Sequence, residues 1–188
     1  MKRVIVITFL LGLILILATP LVWADEEPLI ITPSNTNDGP IYYAAVGQEI
    51  FIRAGWGACT RGLVEASRHT SSIALKILSE GVPLVTVEPP SREYWNKPVT
   101  YEPDPNGINA CVMTPSKEAW RTEWFYSLGT LEPGEYEGHF LWTFPHPLPD
   151  GGDYDGDGHI DIFVSDSRGN SDRFSFFTSE RTFTIIVE

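Results

Sequence analysis

Apolar and polar positions alternate with period two over most of the chain beyond residue 25, a pattern that predicts strands rather than helices. Leu29–Thr32 is a short β-rich run closed by the turn-forming SNTNDGP, and Ile41–Val46 resumes before Gly47. Within Glu49–Trp56, Ile50, Ile52 and Ala54 alternate with Phe51, Arg53 and Gly55. Both sets are largely apolar, as expected of a central strand covered on both faces. Ile73, Leu75 and Ile77 alternate with Ala74, Lys76 and Leu78, after which SEGVP turns the chain into Leu84–Val87, a hairpin with a short glycine-containing turn. Glu123–Leu128, a run ending near Phe144, Ile160–Val164 and Arg173–Glu188 complete the predicted strands, the last through FSFF and TFTIIV. Leu63–Thr70 fits either one helical turn or the end of a strand.

The pattern breaks between Glu88 and Pro115. Pro89, Pro90, Pro98, Pro103, Pro105 and Pro115 interrupt any regular period, and Tyr94, Trp95 and Tyr101 sit among polar residues. This predicts a long stiffened loop (88–115), of a length that is uncommon in compact domains unless the loop is functional or disordered. Thr114 and Pro115 suit the cap and first position of a short helix through Lys117, Glu118, Ala119 and Trp120. No segment repeats at a fixed period, which counts against propellers and solenoids.

The first 24 residues belong to a different regime. Lys2 and Arg3 precede an apolar run from Val4 to Val22, and the small-residue site at Ala24 completes the layout of a secretory signal peptide (1–24). The run is also long enough to span a bilayer if uncleaved, and that anchor is the one route to a membrane. Either way residues 25–188 are expected outside the cytoplasm, secreted or at the cell surface, as a single domain of 164 residues. Without Lys2 and Arg3, 11 basic residues face 25 acidic ones, a net charge of −14. Such a surface repels phosphate backbones and excludes nucleic acid as a natural partner, leaving cations and basic or neutral ligands.

In an exported chain the pair Cys59 and Cys111 predicts a disulfide, which would contribute about 4 kcal/mol in the chain-entropy model. The competing reading, Cys59 as a nucleophile within GWGACTRG, needs a reduced thiol and a base that the sequence does not supply.

Residues 131–140, LEPGEYEGHF, carry leucine, proline-glycine and then tyrosine leading into an alternating strand. This resembles the tyrosine corner of immunoglobulin-like and fibronectin-like sandwiches. The resemblance implies an all-β, immunoglobulin-like β-sandwich of about seven to nine strands, with the Tyr136 hydroxyl turned back to the chain near Gly129 or Leu131. The position two after the tyrosine, where antibody-type domains place their second cysteine, is Gly138. A disulfide here is therefore not that family's link between sheets.

DYDGDGHID supplies the metal chemistry. Carboxylates at Asp153, Asp155, Asp157 and Asp161, with Gly158 for the sharp turn and the His159 backbone carbonyl between them, present oxygens at the spacing a hard cation requires. An EF-hand would need a bidentate glutamate at its twelfth position, which is Val164. The loop is similar instead to the D-x-D-x-D-G-x-x-D calcium loop of FG-GAP proteins, where the ninth residue completes the shell. The alternative is a solvated acidic turn, in which four carboxylates would repel one another. The cofactor expected is calcium, in a structural role, held by a loop (150–161) between late strands; magnesium and zinc fit the donor set less well.

His69, His139, His146 and His159 show no metal-binding spacing, and there is no nucleophile elbow, Walker loop or dinucleotide fingerprint. Candidate ligand-binding residues are Tyr94, Trp95, Tyr101 and Trp120, aromatics of the proline-rich stretch suited to sugar stacking or a protein hot spot; the bland alternative has some of them capping the core. Trp56 and Trp142 fall within strand patterns and are expected in the core. Three functions fit: a calcium-stabilised adhesion or interaction module, a carbohydrate-binding module using the loop aromatics, and a small secreted hydrolase. The partner is an unidentified protein or glycan.

Overall fold

The computed structural model describes residues 27–33, 39–101, 119–145, 151 and 178–188. They form nine strands and one α-helix: β1 (Leu29–Ile31), β2 (Ile41–Ala44), β3 (Ile50–Ala58), α1 (Arg61–Thr70), β4 (Ser72–Ser79), β5 (Val82–Val87), β6 (Val99–Tyr101), β7 (Ala119–Gly129), β8 (Gly134–Thr143) and β9 (Thr178–Val187). A 3₁₀ turn covers Arg92–Tyr94. The chain is thus mostly β, as its alternation predicts, and Leu63–Thr70 resolves to helix. Thr60 caps that helix, its hydroxyl accepting from the Leu63 N–H at 3.3 Å.

The strands make two mixed sheets, one of four strands in the order β1-β3-β7-β6 and one of five in the order β2-β9-β8-β4-β5. All pairs are antiparallel except β1 with β3 and β2 with β9. Both parallel pairs come from the N-terminal run, whose two short strands go one to each sheet. Inward residues of both sheets share one core that includes Ile50, Ile52, Ile73, Ile77, Phe140 and Ile185. Across it Trp124 meets Phe140 edge-on with centroids 6.2 Å apart, and Trp56 meets Trp142 at 6.5 Å. Trp142 is buried and Trp56 half-buried, as expected of core residues.

At the corner before β8 the Tyr136 hydroxyl donates to the Glu132 carbonyl at 2.7 Å, one residue beyond the expected Leu131. Gly138 has a packing reason: a Cβ there would overlap the Phe183 ring. The β4–β5 hairpin closes through Glu80 and Gly81, both at positive φ (51° and 77°), the primed two-residue turn that suits strand twist.

Two expectations change. The proline-rich stretch is not loop throughout, because Val99–Tyr101 forms β6 against Arg121–Ala119. Ala119 and Trp120, assigned to a short helix, begin β7 instead, where β3 on one side and β6 on the other pair their backbone. Non-local pairing overrides local propensity there.

The crossover from β5 to β6 laces the two sheets together. Buried Ser91 donates its hydroxyl to the Ile73 carbonyl of β4 (2.7 Å) and accepts from the Trp124 indole of β7 (3.1 Å). Asn96 N–H donates to the Glu123 carbonyl, and the Asn96 side-chain oxygen accepts from the Glu123 N–H, both at 2.9 Å. Thr122 Oγ1 adds a bond to the Asn96 carbonyl at 2.9 Å.

Candidate functional site

One end of the four-stranded sheet brings together Cys59, Tyr101 and Trp120 of the residues that the sequence singles out. The outward residues of β3 run Phe51, Arg53, Gly55, Gly57, and the row ends at Cys59, which is buried with Ala119 and partly covered by Tyr101. Cys59 is not a free cysteine; Cys111 lies outside the described residues. The chain then turns at Thr60 into α1, which packs on β3 and β7 through buried Val64 and Ser67.

Gly151 joins this end. A Cβ built on it would lie 3.0 Å from Leu63 Cδ1 and 3.1 Å from Cys59 Cβ. The residue that precedes the acidic loop by two positions therefore abuts the first turn of α1 and the Cys59 side chain. The loop itself, with Asp153, Asp155, Asp157, His159 and Asp161, lies outside the described residues. Among the described residues no group of three or more His, Cys, Asp or Glu side chains could hold a metal.

The four candidate aromatics separate. Trp95 is 5% exposed and packs its ring against Trp142, the centroids 6.0 Å apart and the planes tilted by 52°. Tyr94 is half-buried, edge-on to Trp124 at 5.7 Å and to Tyr126 at 5.0 Å. Burial, then the neighbouring Tyr94, raises the Tyr126 hydroxyl above its ordinary value of 10.0. Tyr101 and Trp120 are half-buried at the α1 end, and each carries an arginine over its ring: Arg121 over Tyr101 at 5.7 Å and Arg61 over Trp120 at 5.9 Å. The structure thus brings Tyr101 and Trp120 to one end of the sheet, on opposite faces by their register, and sends Trp95 into the core, because the Asn96–Glu123 bonds and the bridge between Trp95 and Trp124 hold this segment against β7.

No family model matches the chain, and no curated relative matches it. Among solved structures it is similar to the cysteine protease inhibitor EhICP2 from Entamoeba histolytica, at 8% identity over 85% of this chain and 95% of that one, with a TM-score of 0.32. It is also similar to amebosin, at 12% identity over 86% and 99%, with a TM-score of 0.26. Likeness at these scores carries no argument about function.

Sequence reasoning did not single out Gly55, Gly57, Arg61 or Arg121. Gly55 and Gly57 are exposed, and the Tyr101 hydroxyl lies 3.2 Å from where a Gly57 Cβ would be. The readable signal was GWG within an otherwise apolar strand, since glycine in a strand marks a bulge or a close approach of another backbone. Farther along the same face, Phe51 and Phe125 pack ring to ring at 5.0 Å, with Phe125 and Ile30 exposed. Arg53 and Glu123, 3.9 Å apart, separate this apolar strip from the glycines.

Proposed function

We propose that this chain is an exported, calcium-stabilised interaction module of immunoglobulin-like sandwich type, binding a protein partner at the α1 end and outer face of the four-stranded sheet. The observation that carries the binding surface is the pair of arginine–aromatic contacts, Arg61 on Trp120 and Arg121 on Tyr101. Trp, Tyr and Arg are the side chains most enriched in protein hot spots, because each combines a large apolar area with a directed polar group. The apolar strip of Ile30, Phe51 and Phe125 extends the surface. A sugar stacking on Tyr101 or Trp120 would have to displace the guanidinium already over the ring, which favours a protein over a glycan.

Calcium supports the same end of the molecule in this reading. Asp153, Asp155, Asp157, Asp161 and the His159 carbonyl would hold it, and Gly151 ties the approach to that loop to Cys59 and α1. The Cys59–Cys111 disulfide would fasten the other connection there. Calcium added to chelated protein is expected to raise the melting temperature, and Asp157→Ala to abolish the rise; an unchanged melting curve contradicts the calcium assignment. For the surface, an array of extracellular protein domains and glycans is probed with wild type and Trp120→Ala. The reading expects a protein ligand lost in the variant at unchanged melting temperature. Glycan binding, or identical profiles, counts against it.

A further inference from the structure

We infer that the open edge of β3, from Arg53 to Ala58, is a lane for an added strand, and that its occupant is an extended, neutral-to-basic peptide of a partner protein. This deepens the interaction-module reading and rests on it for the partner being a protein. β1 pairs with β3 only from Ile50 to Ile52, whereas β7 pairs with it along the whole strand. Among the described residues nothing pairs with β3 beyond Ile52 on the β1 side. Those six residues span about 20 Å of unpaired edge.

Two independent observations show which backbone groups face the lane. The Leu29 N–H donates to the Glu49 carbonyl, so odd-numbered residues of this strand point their backbone groups toward β1. Glu123, opposite Gly55, gives both its N–H and its carbonyl to Asn96 rather than to β3. In an antiparallel ladder that makes Gly55–Glu123 a non-hydrogen-bonded pair, with the Gly55 groups pointing away from β7. The same register has the Arg53 N–H donating to the Ile31 carbonyl, so the groups left facing the lane are the Arg53 carbonyl and the N–H and carbonyl groups of Gly55 and Gly57, and neither glycine has a side chain to screen them.

Native proteins usually cover, charge or kink such an edge. This one leaves exposed glycines there. An incoming strand would hydrogen-bond to those groups, with specificity from alternate side chains. Over Gly55 the neighbours stand at ordinary contact distance, 3.5 and 3.6 Å, whereas the Tyr101 hydroxyl already lies over Gly57, so a large residue of the incoming strand fits beside Gly55 and would meet the Tyr101 ring beside Gly57. The net charge of −14 on residues 25–188 opposes a second copy and favours a basic or neutral segment. The chain's own β1 leaves the lane at Pro33, whose nitrogen carries no hydrogen for a ladder.

The test selects binders from a phage-displayed random peptide library on the full chain with calcium present, then remakes the selected peptide with alternate amides N-methylated. Strand addition expects one set of methylations to abolish binding and the complementary set to leave it, because only every second amide faces β3. It also expects hydrogen exchange at Gly55 and Gly57 to slow at least about tenfold on binding, and Gly55→Pro to weaken binding comparably. Equal effects of the two sets, no selected binder, or a dimer that protects the same amides without peptide would overturn the proposal. If it fails while Trp120→Ala still abolishes capture of an arrayed protein, the interaction-module reading stands and only the strand lane is lost.

Discussion

The two flanks of the β3–β7 pair are finished in opposite ways. On the β7 side, Asn96 takes both backbone groups of Glu123, Trp95 bridges Trp124, and Ser91 ties the Trp124 indole to β4 of the other sheet. On the β3 side, pairing among the described residues stops at Ile52 and the strand runs on through two exposed glycines. The same sheet therefore has one flank satisfied by its own crossover and one where, among the described residues, the backbone groups of Gly55 and Gly57 are unclaimed. The difference separates what holds the sheets together from what is free to bind.

Substitutions on the two flanks are expected to diverge accordingly. The largest effect falls on the laced side: Trp124→Ala, at a fully buried ring, should lower stability by about 3–5 kcal/mol in denaturant unfolding. Ser91→Ala should cost about 1–3 kcal/mol, since it removes the partner of a buried carbonyl and weakens the hold on the Trp124 indole. On the open side Gly55→Ala should cost nothing and raise stability by about 0.5–1 kcal/mol, because the added methyl meets its neighbours at 3.5 and 3.6 Å, an ordinary contact, and restricts the unfolded chain. A large loss for Gly55→Ala would break the comparison.

The smallest effect is one of pH, again on the laced side. The Tyr126 hydroxyl is raised above 10.0 by burial and then by Tyr94. Its folded state holds the proton to higher pH than the unfolded chain does, so the stability it contributes is complete below pH 10 and falls away as pH rises through the folded value. Tyr126→Phe should blunt the loss of stability in unfolding curves taken across that alkaline window.

The strands were legible wherever burial imposes a period of two, as in Ile50–Ala54, Ile73–Ile77 and the run through Tyr136 and Phe140. Tyr136 was legible too, because a proline-glycine turn followed by tyrosine leaves the hydroxyl a nearby carbonyl to meet. Ala119 and Trp120 were misread as helix because local capping signals say nothing about a strand waiting on either side. Trp95 was read as a candidate ligand contact because its burial depends on Asn96 finding Glu123, 27 residues away. The glycine edge was not seen, since a free edge is defined by where a different strand stops. The calcium reading of DYDGDGHID rests on its spacing alone, because its residues lie outside the described part of the fold.

The most direct measurement is residue-resolved hydrogen exchange on the free protein in calcium-containing buffer, comparing the Asn96 and Glu123 amides with those of Gly55 and Gly57. The Asn96 and Glu123 amides should exchange slowly and the glycine pair almost as fast as an unstructured chain. Protection of Gly55 and Gly57 equal to that of Asn96 and Glu123 would mean that the β3 edge is already covered, and would contradict the open lane.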